Sequence, residues 1–153
     1  MEPVPPVAQA ADREHVEWVS VDWQRIDRRA SHDADPIVFR DTVYPILLRD
    51  CGFAGCHGTH ERFFSVFGPG RTRLDPATGI YDPATPTELS LSFTRARSMI
   101  LPEDPESSLL LRKPLTRDEG GAGHKGDDVW GGPVFRTAAD ARFAALYHWA
   151  TGR

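Results

Sequence analysis

A small all-α domain, built from short helices and long loops, is the fold class that this sequence predicts. Three observations lead there. The chain has 153 residues, enough for one domain with a real core. Its 13 Gly and 13 Pro cut the sequence into short elements, and hydrophobic residues reach only 40%. Two of the segments between these breaks carry helical apolar spacing with recognisable start and stop signals. So modest an apolar content suggests that something besides side-chain burial helps to hold the fold, and a cofactor packed at the centre would do so.

Residues 1–35 are expected to form an N-terminal linker or docking segment, and residues 36–153 the folded domain. The first fourteen residues are Pro- and Ala-rich and polar, which suits a flexible tether. "HVEWVSVDWQRI" follows, with Trp18 and Trp23 placed to anchor on the domain surface.

The first helix is expected to start at Asp35, a good N-cap, with Pro36 in the first turn, where its missing N–H costs little. Phe39, Val43, Ile46 and Leu47 then make an apolar stripe that faces a core. Pro45 removes a backbone hydrogen bond and should kink this helix, and Gly52 should stop it. Residues 61–100 read mostly as loop, with "TELSLSFTRARSMIL" either a strand or a helical turn. "EDPESSLLLRKPL" reads as one short helix, capped by Asp104, begun by Pro105 and ended by Pro114. A glycine-rich loop, "DEGGAGHKGDD", surrounds His124. The last helix, in "TAADARFAALYHWATGR", is expected to open on Thr137 and Asp140 as a capping-box variant. It turns Phe143, Leu146 and Ala150 inward and closes at Gly152.

The chemistry concentrates in "LRDCGFAGCHGTH", Leu48 to His60, which contains both cysteines of the chain. Cys51, Cys56 and His57 give C-x-x-x-x-C-H. Covalent haem attachment needs two thiols for two vinyl groups and an imidazole beneath the iron, and usually takes the form C-x-x-C-H. Here the C-H pair is intact and the spacer is longer by two, a bulge that Gly52 and Gly55 make sterically cheap. Two other readings stay open at this point. Cys51, Cys56 and His60, with His57 or His124, could bind zinc, although the second ligand pair lacks the tight spacing of zinc modules. Cys51 and Cys56 could also form a disulfide.

Taken together, "VYPILLRDCGFAGCHG", "DPESSLLLRKPL", the "GGAGHKG" loop and the final "LYHWATG" resemble the extracytoplasmic c-type cytochrome domains of planctomycetes and myxobacteria. The resemblance covers about residues 37–152, and the Cys-His part is its specific component; the longer spacer departs from the commonest form. It implies a cytochrome c-like, mostly helical domain holding one covalent haem c and acting in electron transport, not as an enzyme. A closed iron needs a second axial ligand. The glycine-flanked His124 is the expected partner of His57, matching the histidine loop of those domains, and Met99 is the alternative. Two imidazoles imply a lower potential than histidine with methionine. An open iron would instead suit a peroxidase or gas sensor.

The remaining histidines carry less. His60 reads as a surface residue or a neighbour of a haem propionate, His148 as packing on the last helix, and His15 and His32 have no ligand-like context. Trp130 and Trp149 are candidate pocket or core residues. The formal charge of −4 gives no reason to expect nucleic acid or an anionic membrane as partner; redox proteins, steered by an acidic surface, are expected instead. No apolar run reaches the length of a membrane span, and the first residues do not read as a signal peptide. Because thioether attachment takes place outside the cytoplasmic membrane, Met1 is expected to replace a leader, with the mature protein periplasmic or tethered at a surface. No catalytic triad stands out, and "GPGRTRLDPATG" lacks the P-loop lysine.

Overall fold

The computed structural model describes residues 34–124 and 132–153. Nearly all of the expected N-terminal segment, with His15 and His32, lies outside the described residues, as do Gly126 and Trp130. The described part is helical, with one isolated parallel bridge between Leu115 and Phe135. No helix among the described residues is long and apolar enough to cross a membrane.

The chain enters helix at Asp35, whose carboxylate accepts from the N–H groups of Ile37 and Val38. Three contiguous segments follow: α1 (Pro36–Val38), a π-helical segment (Phe39–Val43) and α2 (Tyr44–Asp50). The expected kink at Pro45 takes the form of this π segment. Pro45 has no N–H to give the carbonyl four residues back, so the turn before it widens, and the Tyr44 N–H bonds instead to the Phe39 carbonyl. Phe39, Val43 and Leu47 are buried as the spacing predicts, joined by Tyr44, while Ile46 is only partly buried.

The expectation of loop through 61–100 is corrected by α3 (Pro86–Ser98), a helix of 13 residues. It starts in a capping box: Thr85 accepts from the Glu88 N–H, and the Glu88 carboxylate accepts from the Thr85 N–H at 2.9 Å. Leu89, Phe93 and Ala96 face the core together with the polar Glu88 and Ser92.

The single helix expected over "EDPESSLLLRKPL" is in fact two pieces, a 3-10 turn (Pro105–Ser107) and α4 (Leu109–Arg112). Asp104 makes no side-chain cap. The break falls at Ser108, which is extended and fully buried, because its hydroxyl accepts from the Leu101 N–H at 2.9 Å.

The last helix is α5 (Ala141–Thr151), capped by Asp140, whose carboxylate accepts from the Arg142 N–H. Thr137 takes no part in a capping box: its hydroxyl accepts from Ala139 instead. Gly152 ends the helix in the left-handed conformation, as expected.

α5 packs on the π segment and on α4, and α3 packs on the π segment and α2. Phe39 sits where they meet, with ring centres 5.2 Å from both Phe93 and Trp149. The Trp149 indole N–H donates to the Asp35 carbonyl at 3.0 Å, pinning the last helix to the start of the first. Trp149 therefore belongs to the core.

The loop before α3 is organised by Arg73. Its guanidinium makes a bidentate pair with Glu88 at 2.9 and 2.8 Å and donates to the carbonyls of Gly79, Asp82 and Pro83.

Candidate functional site

Cys51 is the C-cap of α2, so the cysteine loop begins where regular hydrogen bonding ends. The loop closes on itself: the His57 N–H donates to the Cys51 carbonyl at 3.0 Å, and the Cys56 and Gly58 N–H groups both donate to Phe53 at 2.8 Å. Ala54 and Gly55 are exposed at its tip, so the two surplus residues of the spacer bulge into solvent. A Cβ on Gly55 would meet nothing within 4 Å. At Gly58 it would lie 2.3 Å from the Gly52 carbonyl oxygen, so only glycine fits that crossing.

Arg71 fastens this loop to the helix. It donates to the carbonyls of Leu48 and Arg49 at 3.1 and 3.0 Å, two acceptors left open at the end of α2. The same guanidinium lies 4.1 Å from the centre of the Phe53 ring.

Cys51 and Cys56 carry free thiols rather than a disulfide. Burial, with smaller contributions from Asp50 and Cys56, pushes the Cys51 thiol up to about 12, so it is protonated at neutral pH. His57 is fixed by its Nδ1–H, which donates to the Phe64 carbonyl at 2.9 Å. A carbonyl only accepts, so the proton is on Nδ1 and Nε2 carries a lone pair. Burial lowers the pKa of the ring; the bond to Phe64 works against this, while His124 and Arg62 add to it. A neutral imidazole with one nitrogen oriented by a carbonyl is the form in which histidine binds a metal.

His124 comes from the far side. Gly121 packs against the Leu115 carbonyl so closely that a Cβ would sit 1.8 Å from it. Gly120 turns the chain in the left-handed conformation after a 3-10 turn (Arg117–Glu119). The Ala122 N–H then donates to the Arg112 carbonyl at 2.8 Å, tying the loop to the end of α4. This route brings the His124 ring to 5.9 Å from the His57 ring, centre to centre, at 57° between planes.

The two imidazoles, both cysteines and Met99 line one cleft of about 430 Å³, within the range of small-molecule and cofactor sites. Its apolar wall includes Leu47, Phe53, Phe64, Leu110, Val134 and Leu146. Three of these, Leu47, Leu110 and Leu146, are also core residues, so the cleft opens directly onto the hydrophobic interior. Asp50, Arg62 and Lys113 bring charge to the wall. Sequence reasoning missed all three, since nothing local distinguishes them from other surface charges.

Of the expected site residues, Cys51, Cys56, His57 and His124 are thus brought together, with Met99 on the same cleft. His60 is not among them: it is exposed and stacks on Phe67, with ring centres 4.7 Å apart. His148 is exposed on α5 and bonds to the Arg153 carbonyl. Among the described residues, no group of three or more His, Cys, Asp or Glu side chains converges to hold a metal ion.

No family model, curated protein or solved structure matches the chain.

Proposed function

We propose that this chain is an electron-transfer protein carrying one haem c, which Cys51 and Cys56 would attach and His57 and His124 would ligate. The observation that carries the proposal is the pairing of the two imidazoles. A metal–nitrogen distance of about 2 Å on each side of one ion puts the centres of two coordinating rings about 6 Å apart. His57 and His124 stand at 5.9 Å, with two free thiols on the same cleft.

The residues present fit the group. The cleft is apolar, large enough for a cofactor, and bounded by thiols and imidazoles in the required types. A porphyrin brings four nitrogens of its own and asks the protein for two ligands, which matches a paired His57 and His124 better than a tetrahedral zinc site that needs four. When bound, haem supplies a reversible one-electron change at iron. The chain does the rest. The Cys51 and Cys56 thiols would hold the group covalently, each by addition of its S–H across one vinyl, sulfur to one carbon and hydrogen to the other. The Phe64 carbonyl holds the proton on His57 Nδ1, which leaves the Nε2 lone pair as the one that would ligate iron. The apolar wall keeps water from the bound group.

Two imidazoles, rather than imidazole and thioether, favour a low reduction potential. Met99 on the same cleft supports a second reading, with sulfur in the sixth position. A near-infrared methionine-to-iron charge-transfer band in the oxidised protein would select it. The wider proposal places the mature protein in the periplasm or tethered at a surface, exchanging electrons with redox partner proteins in short-lived encounters. It is tested by extracting a matured sample with acidic acetone and recording the reduced pyridine spectrum. Haem c remains with the polypeptide and gives the spectrum of a thioether-bound haem. A colourless protein of unmodified mass overturns the reading.

A further inference from the structure

We infer that Asp50, gripped by Arg49 and Arg142, is a potential-setting residue: a fixed carboxylate in the cleft wall that favours the oxidised form of whatever redox group the cleft holds. The inference rests on the haem reading above and goes beyond it, since it assigns a role to a residue that neither attaches nor ligates the group.

Among the described residues, three side chains bring formal charge to the cleft wall: Asp50, Arg62 and Lys113. Arg62 and Lys113 are exposed, so solvent and salt screen them. The Asp50 side chain is only 13% exposed. It occupies the last position of α2, immediately before Cys51. One oxygen accepts from Arg49 Nε at 3.0 Å, and the other accepts from Arg49 Nη2 at 3.3 Å and Arg142 Nη1 at 3.1 Å.

Neither arginine lines the cleft. Arg49 is 62% exposed and faces solvent. Arg142 is shared with Asp140, which takes it bidentately at 2.9 and 2.5 Å, while its guanidinium lies 5.3 Å from the centre of the Phe135 ring. Two carboxylates therefore divide one half-buried guanidinium, and of this group only Asp50 lines the cleft. A buried negative charge stabilises the iron state that carries the extra positive charge, which is the ferric one. It acts in the same direction as a second histidine ligand.

The arrangement is also positionally rigid. Arg142 belongs to the first turn of α5 and Asp50 to the end of α2, so the ion pair locks the helix before the cysteines to the helix that closes the core.

The test is a mediated redox titration of the haem-loaded protein, in which one electron passes from dithionite through the mediator to the iron and no bond of the chain changes. Asp50→Asn is expected to shift the ferric–ferrous equilibrium about three- to tenfold towards ferrous, tenfold being about 59 mV for a one-electron couple. Asp50→Glu is expected to retain the wild-type potential. Arg142→Met is expected to move it the opposite way, since it removes the positive charge and leaves the carboxylate. A purely structural role would not give opposite signs at the two ends of one ion pair. An unchanged potential in D50N, with wild-type haem content and visible bands, overturns the inference and leaves the haem reading standing. Absence of bound haem in the wild type overturns that reading itself. If D50N does not accumulate, R142M decides alone: a lowered potential supports the inference, and an unchanged or raised one overturns it.

Discussion

Arg73 and Glu88 meet in a fully hydrogen-bonded ion pair whose side chains are 5% and 1% exposed. Both oxygens of Glu88 are used twice, by Arg73 and by the N–H groups of Leu74 and Thr85. Burial pushes the Glu88 carboxyl up, but Arg73 and the two N–H groups outweigh it and hold the pKa below its ordinary value. Glu88→Gln leaves a buried guanidinium without its counter-charge. The expected loss is about 3–5 kcal/mol, measured by urea unfolding.

The same pair fixes a pH dependence. A carboxyl whose folded pKa lies below its unfolded one contributes stability that is complete above the ordinary carboxylate range and is lost as pH falls through the lowered value. The wild type should therefore lose stability on acidification below about pH 5, and E88Q, already less stable, should show a shallower dependence. Parallel curves for the two proteins would remove Glu88 as a contributor.

The cysteine loop should distinguish its glycines. Gly58→Ala drives a Cβ into the Gly52 carbonyl, a backbone group that cannot step aside, so the loop must open. A destabilisation of about 1–3 kcal/mol and reduced covalent haem content are expected. Gly55→Ala points into open space and should leave both unchanged within about 0.5 kcal/mol. Equal behaviour of the two variants would mean that the loop is not closed in the way described.

The thiols should act separately. Cys51→Ala or Cys56→Ala leaves one attachment point: the mass still rises by one haem, and the reduced pyridine band moves towards that of unattached haem. The double variant should release its haem to acidic acetone. Retention of haem there would place the attachment elsewhere.

The two imidazoles should differ from other histidines in their spectroscopic weight. His124→Ala opens the sixth position, so the ferric protein should become high-spin and bind cyanide rapidly. His124→Met should raise the potential. His60→Ala, on a ring stacked outside the cleft, should do neither.

What could be read in the sequence was what neighbouring residues decide. Asp35–Pro36 and Gly152 set helix ends by local hydrogen bonding and backbone geometry, and the C-H dipeptide keeps Cys56 beside His57 whatever the spacer does. α3 was not legible as a helix because Glu88 and Ser92 sit on its buried face, and the partner that makes Glu88 burial possible, Arg73, is remote in sequence. Thr85 and Glu88, with Pro86 between them, were the available signal for its start. Ser108 broke the expected helix after Asp104 for a similar reason, a hydrogen bond to Leu101 that no periodicity reveals. In the candidate site, the approach of His124 to His57 followed from the glycine loop only as an expectation. The charged wall of the cleft depends on which helices become neighbours, and left no local trace.

The widened turn before Pro45 has a consequence for sequence change along this stretch. A π turn holds one residue more than the α-helical path it replaces, so it absorbs that residue while the parts of the rod on either side keep their phase. Deleting Thr42 alone would restore regular winding and leave everything upstream at nearly the same azimuth. Deleting one residue from the regular α2 would instead swing that part by about 100° around the axis, one residue's share of a 3.6-residue turn. Phe39 would then leave Phe93 and Trp149, and the Asp35 carbonyl would leave the indole that it receives. Insertions and deletions in this rod are thus constrained by azimuth everywhere but at the π turn, while the solvent-facing tip at Ala54 and Gly55 can change its residue count without turning anything else.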